Sequence, residues 1–191
     1  MYKFSNCVFA YHGCDKKIQY DVVNGGPFKK STNTYDWLGN GVYFWENDYH
    51  RALEWAKELK KRGKIEEPAV VGAVIDLGYC LDFTQRESTD LLKVGYKLLK
   101  LRSDLNGIAI PENHNINKFG DILERDLDCA VIEQIHDLTR TYNLQKYDTV
   151  RGVFTEGKEV YPHAGFVEKT HIQICVVNTK NIIGCFIPRI K

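Results

Sequence analysis

Apolar positions along the chain follow two periods. Short runs mark strands: Cys7 to Tyr11 ends at His12-Gly13, Gly41 to Trp45 is apolar and aromatic, and Ala69 to Leu77 is nearly continuous and β-branched, as in a buried strand. Asp148 to Phe154, Thr170 to Val177 and Ile182 to Ile187 add three more strands. Helical spacing appears after Asn47 or Asp48, either of which caps a helix to about Arg62; Ala52, Leu53, Trp55, Ala56 and Leu59 recur on one side and Gly63 ends it. Asp15 to Val23 reads as a helix stopped by Asn24-Gly25-Gly26-Pro27. Ser88 to Leu101 and Asp121 to about Tyr142 are helical in period, whereas Phe28 to Asn40 and Arg102 to Gly120 read as irregular. Without internal repeats, low-complexity tracts or linkers, this succession predicts one α+β domain over residues 1–191.

Composition narrows the function classes. With 43% hydrophobic and 27% charged residues, the chain is globular in character. No stretch reaches the roughly 20 apolar residues of a spanning helix, and Met1 to Ala10 is too short and polar for a signal peptide. A cytoplasmic protein without membrane association is expected. A net charge of +1, from 26 basic and 25 acidic residues, gives no global grip on nucleic acid. The basic run Lys57 to Lys64 reads as a solvated helix face. The six cysteines include no C-x-x-C pair, so they read as reduced thiols with no zinc or other metal site.

Three segments carry candidate chemistry. Tyr11-His12-Gly13 sets an imidazole beside backbone that a ligand can approach closely. Trp37-Leu38-Gly39-Asn40-Gly41-Val42-Tyr43-Phe44 turns tightly into a strand; Tyr43 and, on the next helix, Trp55 offer faces for a planar heterocycle, or core. In the third segment His171, Gln173 and Cys175 share one strand face, and a polar pair on an apolar strand needs partners or a cleft. Just upstream, Glu156 lies between turn signals where a carboxylate projects freely, and Arg151 reads as a surface ion pair or a phosphate contact. His50, His114, His136 and His163 have no ligand spacing and read as surface histidines, and Cys14 is too close to His12 to form a nucleophile–base pair with it.

Together these segments resemble the ADP-ribosyltransferase superfamily, nearest its poly-ADP-ribose-polymerase-like (diphtheria-toxin-like) branch. Tyr11-His12-Gly13 looks like that branch's early His-Gly, and Gly39-Asn40-Gly41-Val42-Tyr43-Phe44 with Ala52 looks like its Gly-x-Gly-x-Tyr-Phe strand and following helix. The stretch from about Asp82 to Tyr147 matches nothing in it. The resemblance implies a fold of split, mostly antiparallel β-sheets flanked by helices. It also implies NAD as co-substrate and mono-ADP-ribosyl transfer to a macromolecular acceptor, a protein side chain being favoured over nucleic acid, with release of nicotinamide. Toxin-like bacterial members bring an antitoxin or regulatory partner into view. By the same resemblance Gly13 takes the nicotinamide amide and Tyr43 its ring face, His12 the adenosine-side ribose, and Gln173 the nicotinamide-side ribose; His171, beside Gln173, either orients it or faces solvent. Gln173 stands where the family has Glu, so the charge that steadies an oxocarbenium-like transition state is missing there. Glu156 is the candidate replacement, near the developing cation and able to deprotonate the acceptor. The alternative is a catalytically silent module that binds NAD or ADP-ribose.

Overall fold

Strand β1 (Cys7–Asp15) lies at the centre of the fold, which the computed structural model describes for residues 6–189. The first half of the Met1 to Ala10 segment lies outside the described residues. Asp15 ends β1 and caps α1 (Lys16–Val23), its side chain accepting from Lys17 N. The chain then loops to β2 (Val42–Glu46), and Asp48 caps α2 (Tyr49–Lys61) by accepting from Arg51 N. There follow β3 (Pro68–Asp76), β4 (Cys80–Asp82), α3 (Arg86–Asn106), β5 (Asn113–Ile116), β6 (Ile122–Arg125), α4 (Asp126–Thr141), β7 (Thr149–Phe154), β8 (His171–Val176) and β9 (Ile182–Phe186).

Seven strands form one mixed sheet in the order β4-β7-β8-β2-β1-β3-β9, and β5 pairs with β6 apart from it. Among the described strands only β4–β7 is parallel. This is the expected α+β architecture, as one sheet rather than two opposed ones. The sheet nevertheless loosens at its middle. β1 follows β3 from Cys7↔Asp76 to Asp15↔Pro68, but pairs with β2 only at Ala10↔Glu46 and Tyr11↔Trp45.

Alternation gives the sheet two faces. On one, Ala10, Phe44, Ala73, Ile75, Ile174 and Val176 pack together, and Cys14, Val71 and Val22 extend this core under α1. On the other, α4 sets Ile132 and Ile135 against Leu81, Val150 and Cys175, while α2 packs Ala52 near Trp45 and Val70. Each fully buried aliphatic side chain stabilises by about 1.5–3 kcal/mol. Gly13 allows α2 its close seat: a Cβ there would lie 2.1 Å from Ala52 O.

The segment 102–125 departs from expectation. α3 continues to Asn106, where Gly107 closes it at φ 65°. The stretch read as irregular, and the start of the last long helical pattern, instead form the β5–β6 hairpin, so α4 begins at Asp126. Strands of four residues, one reading Asn-His-Asn-Ile, are too short and polar to show a period of two. Cys7, Cys80, Cys175 and Cys185 lie in strands, and Cys14, Cys80, Cys129, Cys175 and Cys185 are free thiols. Among the described residues no helix is long and apolar enough to cross a membrane.

Candidate functional site

On the α2/α4 face, strand register builds a row of side chains. Gln173 on β8 pairs with Trp45 on β2 and with Gly152 on β7, and His171 pairs with Phe154. Gly152 leaves a gap that Trp37 fills from the Phe28–Asn40 loop; a Cβ on residue 152 would meet the indole at 2.7 Å. From there Trp37 Nε1 donates to Gln173 Oε1 at 2.6 Å. Gln173 Nε2 lies 3.3 Å from His171 Nε2, and His171 Nδ1 lies 3.1 Å from Lys169 O. A carbonyl can only accept, so Nδ1 carries the proton and Nε2 accepts from the amide. Burial, and then the charge of Arg51, pull the His171 pKa down to about 4, which keeps the ring neutral. Its ring stacks on Phe154 at 5.4 Å, and the Arg125 guanidinium lies over Phe154 at 4.3 Å and over Trp37 at 5.2 Å.

Glu156 borders this row but does not project freely. Its backbone exchanges hydrogen bonds with Lys169, extending the β7–β8 ladder. Its carboxylate takes Arg51 Nη2 at 3.0 Å and Lys169 Nζ at 3.2 Å and is 16% exposed. Arg51 stands in the first turn of α2, its guanidinium 5.7 Å from the Trp45 ring centroid. Two buried donors here, Arg51 Nε and Trp45 Nε1, find no hydrogen-bond partner among the described residues. Buried N–H groups are nearly always paired, so neighbouring orphans suit a ligand rich in acceptor oxygens. Trp55 packs on Trp45 at 6.2 Å.

The other expected residues sit at or beyond the edge of this neighbourhood. The Tyr43 ring lies against the α4 core cluster. Its hydroxyl donates to Gly39 O and accepts from Leu38 N, both at 2.9 Å, which pins the turn after Trp37; burial raises its pKa well above the usual phenol value. His12 points to the opposite face of the sheet, between Phe28 and Phe44 with ring centroids 5.5 Å away. Its Nδ1 lies 2.8 Å from Tyr43 O and donates to it, so the imidazole bridges β1 and β2 where their pairing stops; burial lowers its pKa. Gly13 is covered by α2.

Arg151 is neither a surface ion pair nor free for a phosphate. It lies on the His12 face, opposite Gln173, where Glu46 takes its Nε at 2.6 Å and Nη2 at 3.0 Å, and Asp82 takes Nη1 at 3.0 Å. Strand alternation brings these three residues together on the one face. His136, expected at the surface, is buried on α4 and packs near Tyr147, because the helical period turns it inward with Ile132 and Ile135. His50 and His163 are exposed, and His114 lies between Glu124 and Asp126.

Sequence reasoning missed Trp37, Arg51, Arg125 and Lys169 as site residues. Two left a signal: Trp37 is an isolated indole in a polar loop, and Arg51 is a cation in a helix's first turn, against the helix dipole. Among the described residues no group of His, Cys, Asp and Glu is placed to hold a metal ion.

The uncharacterized protein MJ0359 of Methanocaldococcus jannaschii is 27% identical to this chain over 190 residues, covering 88% of this chain and 81% of that protein. No family model matches the chain. No solved structure matches it.

Proposed function

We propose that the chain is a mono-ADP-ribosyltransferase that takes ADP-ribose from NAD and passes it to a macromolecular acceptor. The observation that carries this reading is the pair of buried, unpartnered donors Arg51 Nε and Trp45 Nε1, which lie beside Glu156 and, through the Trp45↔Gln173 pairing of β2 and β8, beside Gln173.

The residues divide the work. Arg51 Nε and Trp45 Nε1, the unpartnered donors, face the diphosphate, for which a guanidinium is well suited. As Arg51 turns to the diphosphate it releases Glu156, freeing a carboxylate for the reacting centre. Gln173, held by His171, exchanges the Trp37 N–H for a ribose hydroxyl. The glycosidic C–N bond breaks with its electron pair leaving on nicotinamide. An acceptor N–H or O–H attacks the ribose carbon, and its proton goes to Glu156. The ion pairs around Glu156 support the second reading, a silent NAD-binding module, because two cations offset its charge.

The test is incubation with NAD labelled in its adenylate half, in a mixture of proteins and RNA, following free nicotinamide and bound label together. Transfer requires both to appear in proportion, and both to disappear in Gln173→Ala. Saturable NAD binding without nicotinamide release assigns the silent module. Neither binding nor release removes the reading altogether.

A further inference from the structure

α3 carries two apolar stripes, and α4 covers one. The covered stripe holds Leu92, packed against the α4 core cluster, and Gly95, against Val131 and Ile135 of α4, with Arg102 beside it reaching Asp137. The second stripe holds Leu91, Val94, Leu98, Leu101 and Leu105, spaced three, four, three and four residues apart, which is the heptad spacing of a coiled-coil seam. Leu91 is 37% exposed, Val94 47%, Leu101 58% and Leu105 86%, and Ile108, just beyond the Gly107 cap, is 66% exposed. A continuous apolar stripe on a helix marks an interaction site.

We propose that this seam pairs antiparallel with the same helix of a second copy of this chain. With a two-fold axis passing between Leu99 and Lys100, Leu98 meets the partner's Leu101, Val94 meets the partner's Leu105, and Leu91 reaches the partner's Ile108. The sequence closes on itself under that axis, as an isologous interface requires. Its flanking charges close too: Lys97 faces the partner's Asp104, and Asp104 faces the partner's Lys97. A parallel pairing sets Lys97 beside the partner's Arg102, like against like. Asp90 and Asp104 share the Lys97 flank and oppose an anionic lipid surface, so a second protein helix fits better than a membrane.

The test is analytical ultracentrifugation of the full chain from about 1 µM to about 500 µM, the range over which small reversible interfaces dissociate. A concentration-dependent dimer is expected. Leu105→Asp, at the most exposed seam position, should stay monomeric with unchanged circular dichroism, and Leu101→Asp should do the same. Lys97→Asp and Asp104→Lys should each weaken the dimer about five-fold, and the double exchange should return it to within about two-fold of wild type. A monomer throughout, a dimer that survives Leu105→Asp, or a double exchange no better than the single changes would overturn the proposal. So would Leu105-dependent binding to phosphatidylserine vesicles by a chain that stays monomeric.

Discussion

Two arginine–carboxylate clusters lie on opposite faces of the same sheet, and they differ in completeness. On the His12 face, Arg151 meets Glu46 through two nitrogens and Asp82 through a third, and burial and pairing leave every charge answered. On the α2/α4 face, Arg51 shares Glu156 with Lys169, and its Nε remains buried and unpartnered beside an equally unpartnered Trp45 Nε1. A closed network holds strands together, whereas an open one keeps donors in reserve. Counting ion pairs would rank the two alike; counting unsatisfied atoms separates them.

The sharpest way to break this contrast is to disable one cluster at a time. Glu156→Gln should lower nicotinamide release by at least about 100-fold, as expected for removing a general base and the site's carboxylate. Its denaturant midpoint should fall by less than that of Arg151→Met, because the amide keeps one acceptor for Arg51 although its charge is lost. Arg151→Met should do the reverse: stability drops by about 2–3 kcal/mol as two half-buried carboxylates lose their partner, and release per folded molecule is unchanged. Urea titration beside the release assay checks both, and matching behaviour of the two variants would remove the distinction.

A smaller effect follows from pH. His171 titrates near 4 in the folded chain against 6.5 unfolded, so both states are neutral above about pH 6.5 and stability is full there. As pH falls from 6.5 toward 4 the unfolded chain gains a proton that the folded chain does not, costing up to about 3 kcal/mol. Buried His12 and His136 are shifted the same way and add to the slope. His171→Gln should flatten the stability–pH curve over that window while leaving a residual slope; an unchanged curve would show that the ring does not titrate as its burial requires.

Smallest is the loop contact. Trp37→Phe keeps a ring over Gly152 but removes the N–H bonded to Gln173, worth about 1 kcal/mol. With that donor gone, Gln173 is free for the ribose, and NAD should bind a few-fold more tightly by calorimetry. Weaker binding would mean that the indole holds the substrate instead of competing with it.

Much of the architecture was legible because its signals are local. The β-branched run of β3, the Asp48 cap and the alternation of His171, Gln173 and Cys175 each announce an element without reference to the rest of the chain. The β5–β6 hairpin did not, because its pairing is tertiary and its four-residue strands are largely polar. The site was legible as a set of strands but not as a set of contacts. Gln173 and His171 were found from one strand's alternation. That Trp37 reaches Gln173 across 136 residues of sequence, and Arg51 reaches Glu156 across 105, depends on sheet order, which no spacing encodes. The same holds for His12: residue type and position single it out, but only the register shows its ring turning to the face opposite Gln173.

The most direct measurement is a crystal structure with a non-cleavable NAD analogue. The account predicts the nicotinamide-side ribose hydrogen-bonded to Gln173, with the Trp37 indole displaced and Arg51 turned from Glu156 to the diphosphate. An analogue bound elsewhere, with the Trp37–Gln173 and Arg51–Glu156 contacts intact, would contradict it.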